Sequence, residues 1–290
     1  MNSIELFKKY APELLDEVYK QESTTADFDI DGALVKAGAN ANEIIVPKLD
    51  MDGLGDYERN SGYLDGDVNL TNETVKFNYE RGRRLKTDAI DNEETGGAIM
   101  SNLSGEFLKT KVIPEVDAVR YATYAAIEGI TLKTETLETG DAVYKAIAAI
   151  YDQMTEDEVP ESDRHLRITA TLLGLVRDME TYKSKDLLNK FKTIKTVPQN
   201  RFYTAIDLLS GKDADGERIG GYKKANTASD INFMIIHKPA LLQYTKHNKM
   251  KVFTPDQDQD GDNYKWLYRL YGLNDVYEDK VAGIACSHKA

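Results

Sequence analysis

The sequence predicts an α+β fold, because helical and strand-like hydrophobic patterns occupy different stretches of the chain. One long helical pattern covers residues 95–129, and patterns that alternate apolar with polar residues lie on either side of it, in 68–85 and 264–270. Between the helix and the C-terminal strands, short apolar strands alternate with helices, which indicates a mixed α/β lobe. A chain of 290 residues is long enough for two lobes of roughly 150 residues each.

The N-terminal segment is predicted to be an arm that needs a supporting surface. Residues 1–22 have the pattern of an amphipathic helix, or of two short ones, with apolar residues such as Ile4, Phe7 and Leu14 on one face. Residues 21–42 are small and acidic, and such a segment buries too little apolar area to offset its ordering entropy. We therefore expect a surface to hold the arm, with that of another subunit as one candidate.

A long two-stranded arm is predicted next, with strands at 44–46 and 68–85. Its tip, residues 50–67, is rich in glycine and aspartate, which permit tight turns. Because an isolated hairpin is only marginally stable, a hairpin this long implies a partner beneath it.

The long helix at residues 95–129 has an apolar stripe along one face and carboxylates at its N-terminal end, where the helix dipole favours negative charge. Gly129 lies where a left-handed cap would end it. Pro114 lacks an N–H group and its ring clashes with the carbonyl of Thr110, so we expect a bend or two helices in series.

The second half of the chain contains a predicted helix at 141–154 and two units in which a strand directly precedes a helix. These units begin at His165 and Ile231. In the second unit, the predicted helix lies between His237 and His247. Strands are expected again from Tyr264 to Leu270 and near the C-terminus.

Composition restricts the class of protein. No apolar run approaches the roughly 18 residues that span a bilayer, so no membrane association is expected. The single cysteine, Cys286, excludes an internal disulfide. A formal net charge of −12 argues against a general nucleic-acid-binding protein, because neutralising phosphates requires clustered lysine and arginine.

Six stretches, in order along the chain, carry a more specific signal. They are VPKLDMDGLGDYERNSG (46–62), RGRRLKTDAIDNEET (81–95), GEFLKTKVIPEVDAVRYATYA (105–125), DEVPESDRHL (157–166), VPQNRFY (197–203) and INFMIIHKPALLQYTKHNKMKVFTPDQDQDGDNYKWLYRLY (231–271). Together they resemble the major capsid proteins of tailed bacteriophages, whose fold is named after phage Hong Kong 97. The resemblance is closest to the shell proteins of phages and prophages of low-GC Gram-positive bacteria.

The resemblance implies a Hong Kong 97-like capsid fold with four parts. These are an N-terminal arm (1–43), an extended loop (44–86), a peripheral domain with a long spine helix (87–135 and 251–290) and an axial domain (136–250). In the family's type member a lysine of the extended loop forms a covalent cross-link to a neighbour. The tip at 50–67 contains no lysine, so we expect non-covalent contacts instead. The arm begins almost at Met1, so a separate scaffolding protein is expected.

The function that the resemblance implies is that of a structural shell subunit without enzymatic activity or a cofactor. Identical chains would form pentamers and hexamers of an icosahedral head around double-stranded DNA, without sequence-specific binding, in the virion after assembly in the bacterial cytoplasm. A portal and decoration proteins are further expected partners. Two alternatives remain: an encapsulin-like nanocompartment shell, and a metal-dependent hydrolase that uses the acidic loops.

Candidate inter-subunit residues come from the densest basic cluster and from nearby carboxylates. We expect the arginines to meet carboxylates of a neighbouring subunit in bidentate contacts, with a solvated strand face as the plainer alternative. The candidates are Arg59, Arg81, Arg83, Arg84, Glu93 and Glu94.

No pattern predicts a catalytic or metal site. Residues 256–262, DQDQDGD, resemble the start of a calcium-binding EF-hand loop, but its twelfth position falls on Leu267, where a bidentate glutamate is needed. The four histidines lack paired metal-ligand spacing, and His237 and His247 are interpreted as structural. The acidic stretch is therefore interpreted as a surface loop.

Overall fold

The computed structural model describes residues 22–30, 43–57, 59, 62–94, 103 and 105–290. The predicted helix at 1–22 lies almost entirely outside these residues, as does most of the arm after residue 30. The helices are α1 (Ala89–Glu94), α2 (Ile113–Ala125), α3 (Gly140–Glu156), α4 (Ala170–Asp178) and α5 (Tyr182–Asn189). Within the described residues, no helix combines the length and the hydropathy needed to cross a membrane.

The predicted two-stranded arm is present as an antiparallel hairpin of β1 (Glu43–Met51) and β2 (Val68–Lys76). We call it the extended hairpin, and we call residues 52–67 its tip. The predicted single strand at 68–85 is wrong, because the chain leaves the hairpin after Lys76 and enters another sheet as β3 (Tyr79–Asp88). Asn78 marks the break, where its side-chain amide donates to the carbonyl of Asn274 at 2.7 Å.

A three-stranded antiparallel sheet has the order β10 (Leu241–Phe253), β11 (Asn263–Val276), β3. The helix predicted after Ile231 is therefore wrong: Lys238–Ala240 form one 3-10 turn, and β10 follows. Hydrogen bonding to β11 along most of β10 outweighs the local helix preference of this sequence. His237 and His247 consequently do not flank a helix.

A five-stranded mixed sheet forms the second layer of the body. Its order is β4 (Thr131–Thr134), β12 (Ile284–His288), β9 (Ile231–His237), β5 (Arg164–Ile168) and β6 (Thr193–Thr196). The β4–β12 and β5–β6 pairs are parallel, and β9 runs antiparallel to both of its neighbours. A short hairpin of β7 (Ile206–Leu208) and β8 (Tyr222–Lys224) completes the described strands.

Helices cover both faces of the five-stranded sheet. Helices α3, α4 and α5 contribute Ile147, Leu173 and Leu187, respectively, to a buried cluster with Phe233 and Ile235 of β9. The opposite side holds a second cluster in which Tyr121 and Tyr124 of α2 pack with further residues of the same strand. The predictions of a helix at 141–154 and of a strand and helix from His165 are thus confirmed.

The predicted spine helix is confirmed in part. The chain is helical from residue 105, forms a π-helical turn over Leu108–Val112 and continues as α2 to Ala125. The expected interruption at Pro114 takes the form of this wider turn, directly before the proline that cannot donate a regular i→i−4 hydrogen bond. Gly129 has a φ of +89° but lies beyond the helix end. Residues 95–102 and 104 lie outside the described part.

The sheets divide the chain differently from the predicted domains. Strand β10, predicted within the axial domain, pairs with β11 and β3, whereas β12, predicted in the peripheral domain, joins the five-stranded sheet. The chain passes from one sheet to the other at Lys238–Ala240, after β9. The domain bounds themselves stay a prediction. Strand pairing decides these memberships, and it depends on contacts distant in sequence.

The described part of the N-terminal arm, residues 22–30, is held by its own chain. Asp117 of α2 is fully buried and accepts hydrogen bonds from the Ser23 hydroxyl at 2.8 Å, the Thr24 amide at 2.9 Å and the Thr25 hydroxyl at 2.6 Å. The Arg201 guanidinium donates to the same carboxylate at 3.0 Å. The expected supporting surface is therefore supplied by the same chain, and the other-subunit candidate is wrong for these residues.

Two further arginines complete this attachment. Arg120 of α2 donates to Asp29 at 3.0 Å, and the buried Arg167 of β5 donates to Asp27 at 2.7 Å. Gln243 of β10 donates to the Thr25 carbonyl at 2.9 Å. The segment therefore joins α2 to strands of both larger sheets, and we call this cluster the arm anchor.

Asp117→Asn should lower the free energy of unfolding by about 3–5 kcal/mol, since it removes the charge that faces the buried Arg201. Urea denaturation of the purified chain, followed by circular dichroism, measures the change. Asp152→Asn, an exposed site on α3, is the matched control and should shift stability by less than about 0.5 kcal/mol. Equal stability of the two variants would contradict a structural role for the anchor carboxylate.

Stability should fall on acidification because of His165, which lies beside the anchor. Burial lowers the pKa of His165 to about 4, while the nearby Arg167 acts in the same direction. Since the unfolded chain binds this proton more readily, the contribution is complete above pH 6.5 and is lost as pH falls towards 4. Between pH 4 and 6.5, His165→Gln should reduce the slope of the unfolding free energy against pH by up to about 1.4 kcal/mol per pH unit. His247→Gln is the control, and identical slopes would refute the assignment.

Candidate inter-subunit surface

The extended hairpin has one apolar face that faces solvent. Directly paired residues of an antiparallel ladder share a face, so Leu49 and Leu70 lie beside the pair Met51 and Val68. Their exposed fractions are 58%, 65%, 59% and 67%, respectively. Ile45 and Pro47 continue the same face towards the base. We call this set of six residues the apolar face.

The opposite face of the hairpin attaches it to the body. Ile44 and Val75 are buried there against Leu242 and Leu273 of the three-stranded sheet. Further out, Lys48 forms ion pairs with Glu73 on the partner strand and with Glu278. Because this face is occupied by the same chain, the apolar face points away from the subunit.

The tip adds exposed apolar residues and negative charge. Leu54 is fully exposed, and Tyr63 and Leu64 are exposed as well. The rings of Tyr57 and Tyr63 lie 4.9 Å apart, so the tip has some internal packing. Arg59 lies among these residues with its side chain exposed.

The predicted arginine cluster divides between the two faces of β3. Arg81 lies on the face towards the spine helix and donates to Glu115 at 2.8 Å and to the Gly221 carbonyl at 3.2 Å. Arg83 shares that face and donates to the Arg218 carbonyl at 2.7 Å. Arg84 alternates to the other face and is exposed. Arg81 thus has a carboxylate partner in its own chain.

The sequence predicts a polar surface loop from residue 210 onward, but sequence reasoning missed that these arginines hold it, at residues 209–221. Gly211 and Gly220 have φ values of +73° and +67°. A Cβ atom at Gly211 would lie 2.8 Å from the Arg83 guanidinium, so glycine allows this close approach. The glycine spacing in SGKDADGERIGG was a sequence signal for this close approach. No sequence signal indicated that Glu115 is the partner of Arg81.

The predicted carboxylate partners lie elsewhere. Glu93 and Glu94 end the short helix α1 and are both exposed. No ion pair among the described residues joins either of them to an arginine of the cluster. An assembly contact between these groups therefore remains a proposal.

The acidic loop at 256–262 forms the turn between β10 and β11. The Asp258 carboxylate accepts hydrogen bonds from Lys265 and from the Asn263 amide at 3.0 Å. The Lys265 hydrogen bond is the main cause that lowers the pKa of Asp258 to about 2. Across the described residues, no group of three His, Cys, Asp or Glu side chains has metal-binding geometry. Asp258 thus forms an ion pair within the loop and the adjoining strand.

Comparison with known proteins gives structural matches only. No family model matches the sequence, and no curated protein sequence matches it either. A structure from Mycobacterium phage Che8 superimposes with a TM-score of 0.65 at 13% identity, covering 97% of this chain and 96% of the other.

Two capsid structures are comparably similar. One is the capsid structure of cyanophage P-SCSP1u, with a TM-score of 0.65, 13% identity and coverage of 98% and 93% of the two chains. The other is the capsid of Myoviridae phage XM1, with a TM-score of 0.60, 12% identity and coverage of 98% and 97%. At such identities the likeness establishes the fold. The chain therefore has the α+β fold of these phage capsid chains, the Hong Kong 97-like fold that the sequence resemblance implied.

Proposed function

We propose that this protein is a major capsid protein, a structural subunit without enzymatic activity. Copies would assemble into pentamers and hexamers of an icosahedral shell that encloses double-stranded DNA. The virion is the proposed location, with assembly in the bacterial cytoplasm. The fold shared with phage capsid chains supports this function over nearly the whole length of the chain.

The observation that carries the proposal is the uncovered apolar face. Four of its side chains expose more than half of their surface, and four more exposed apolar residues, Leu54, Tyr57, Tyr63 and Leu64, follow in the tip. Complete burial of one such side chain contributes about 1.5–3 kcal/mol. A monomer gains nothing from a solvated apolar stripe of this kind, whereas contiguous apolar patches typically mark interaction sites.

The arrangement favours contacts between unlike surfaces. The extended hairpin projects from one side of the subunit, and its polar face is held by the same body. The apolar face is thus left for a surface on another copy, and we propose that this surface differs from the hairpin itself. Head-to-tail contacts of this type close into rings such as pentamers and hexamers.

Further partners follow from the same proposal. The net charge of −12 suits a wall that does not bind its enclosed DNA tightly. A scaffolding protein, a portal and decoration proteins are proposed on the family resemblance alone. The relationship to phages of low-GC Gram-positive bacteria likewise rests on the six sequence stretches.

Electron microscopy of the expressed full-length chain, with and without a scaffolding partner, tests the function. We expect closed particles of uniform diameter. An encapsulin-like shell would also form particles but would carry protein cargo. A small discrete oligomer whose melting temperature depends on metal would support the hydrolase alternative and refute the shell.

Leu70→Asp should weaken assembly, because it places a charge in the apolar face. We expect the protein concentration needed for half-maximal particle formation to rise at least about tenfold, which corresponds to 1.4 kcal/mol. Light scattering against concentration gives this value.

Thr71→Asp is the matched control for Leu70→Asp. Thr71 is the next residue on the same strand and is also exposed, but it lies on the polar face beside Lys48. It should assemble like the unmodified chain. Equal impairment of both variants, or of neither, would show that the apolar face is not the contact surface.

Arg84→Glu should reduce assembly if Arg84 meets Glu93 or Glu94 of a neighbour. An ion pair near a surface contributes about 0.2–1 kcal/mol, so a concentration shift of up to about fivefold is expected. Arg177→Glu, at an exposed position on α4, controls for the change in net charge. Restoration of assembly by adding Glu93→Arg would identify the pair, and indistinguishable Arg84 and Arg177 variants would exclude it.

A further inference from the structure

A cavity of about 680 Å³ lies at one edge of the five-stranded sheet. Strands β4, β5, β6 and β12 run in the same direction, because β9 is antiparallel to both β5 and β12 while the β4–β12 and β5–β6 pairs are parallel. The residues that directly follow three of these strands line the cavity, namely Thr169, Val197 and Lys289. Open α/β sheets bind small molecules in this position, outside the carboxyl ends of their strands.

The N-terminus of helix α4 lies at this cavity. The first three residues of the helix, Ala170, Thr171 and Leu172, all line it. Within the described residues, no group accepts a hydrogen bond from the backbone amides of these three residues. Amides at the start of a helix carry partial positive charge and bind anions. The cavity therefore contains backbone donors that an anion can satisfy.

Helix α4 lacks the side-chain cap that the helices before and after it have. Helices α3, α4 and α5 each follow a threonine. The Thr139 hydroxyl accepts a hydrogen bond from the Ala142 amide at 3.3 Å. The Thr181 hydroxyl accepts one from the Ser184 amide at 3.2 Å. By contrast, the Thr169 hydroxyl accepts no hydrogen bond from the start of α4.

The Thr169 hydroxyl is directed to the cavity instead of to the helix amides. The residue is only 8% exposed. No described residue forms a hydrogen bond with its hydroxyl. A buried polar group without a partner destabilises the folded state, and almost all such groups in proteins are paired. A ligand atom bonded to Thr169 would supply this partner.

The donors at this end of the cavity match a phosphate group. The three backbone amides are joined there by the hydroxyls of Thr169 and Thr171. Lys289 also lines the cavity, and its ammonium lies 3.3 Å from Asp230. A phosphate group presents three strong acceptor oxygens, whereas a carboxylate presents two. Phosphate therefore uses more of these donors than a carboxylate does.

The carboxylates of the lining, those of Glu138 and Ala290, belong to exposed residues at its rim. Within the described residues, neither of them accepts a hydrogen bond from the amides of α4. Exposed charges are screened by water and salt, whereas direct hydrogen bonds from a helix end to an anion are not. The rim carboxylates therefore oppose an anion at the helix end only weakly.

The rest of the lining accommodates an organic group. Leu137, Leu172, Val197 and Pro198 form an apolar wall. A free phosphate ion would fill only a small part of the cavity, and cavities of this size bind much larger organic molecules. The lining therefore fits a molecule that joins a phosphate to an apolar or ring-containing part.

We propose that this cavity binds a small phosphate monoester. Its phosphate would lie on the N-terminus of α4, with Thr169 and Lys289 as side-chain donors. Its organic group would pack on Leu137 and Pro198. This inference goes beyond the proposed function and does not depend on it.

Isothermal titration calorimetry of the full-length chain, at fixed ionic strength in chloride buffer, tests the site with phenyl phosphate as the probe. We expect saturable binding of one molecule per chain. Inorganic phosphate should bind at least about fivefold more weakly, because it cannot pack on the apolar wall. Benzoate should bind at least about tenfold more weakly, because it has fewer acceptor oxygens.

Two results of this titration would overturn the proposal. One is the absence of binding by phenyl phosphate up to about 10 mM, a concentration at which even a weak specific site is occupied. The other is equal affinity for phenyl phosphate and inorganic phosphate, which would exclude a site for the ester.

Thr169→Val keeps the side-chain shape and removes the hydroxyl. Because Thr169 does not cap α4, the melting temperature should not fall, whereas the affinity for phenyl phosphate should fall at least about fivefold. Thr169→Ser retains the hydroxyl and should bind like the unmodified chain.

Thr181→Val is the matched control, since it removes the same hydroxyl from the start of α5, where it does cap the helix. It should lower the melting temperature and leave the affinity unchanged. A lower melting temperature for Thr169→Val, with unchanged affinity, would show that Thr169 is a structural cap and overturn the proposal.

Lys289→Met should also weaken binding several-fold, because it removes the ammonium from the cavity. Lys224→Met is its control: Lys224 also pairs with Asp230, at 2.6 Å, but does not line this cavity. Equal affinities of the two variants would contradict the placement of the phosphate beside Lys289.

These outcomes are separate from those that test the shell. Absence of phenyl phosphate binding would overturn this inference and leave the shell function standing. Binding that depends on Thr169, by a chain that forms no particles, would support the site and refute the shell.

Discussion

The buried carboxylate of Asp117 is the constraint on which the body of the subunit depends. It lies in the middle of α2 and accepts hydrogen bonds from the N-terminal segment and from Arg201. Removing one partner of such a cluster would leave an uncompensated charge in a medium of low dielectric constant, which is far costlier than losing a surface pair. Since Arg120 and Arg167 extend the cluster to both larger sheets, one polar network fixes the relation between helix, sheets and arm.

The extended hairpin differs from the N-terminal segment in how much of its apolar surface is covered by its own chain. The segment at 22–30 finds its partners within the subunit, and so does the base of the hairpin. The rest of the hairpin keeps its apolar face and its tip in solvent. The exposed apolar surface is thus concentrated in one projecting element, and contiguous apolar patches of this kind typically mark interaction sites.

The three arginines of β3 lie on two different faces of the strand and therefore make different contacts. Alternation along the strand sends Arg81 and Arg83 to the helix side and Arg84 to the other. Arg81 pairs with Glu115, and with Arg83 it holds the loop at 209–221 through carbonyl oxygens. Alternation along one strand therefore assigns Arg81 and Arg83 to contacts within the chain and leaves Arg84 exposed.

The sequence by itself determined the local elements: the helix at 141–154, the strand and helix after His165, the hairpin with its glycine-rich tip, and the fold class. Hydrophobic period and turn residues encode these features over short distances. Tertiary structure alone decided that β10 is a strand, that β3 leaves the hairpin, and that Asp117 receives the N-terminal segment. Each of these depends on partners far away in sequence, such as β11 for β10, and local pattern has no information about such pairings.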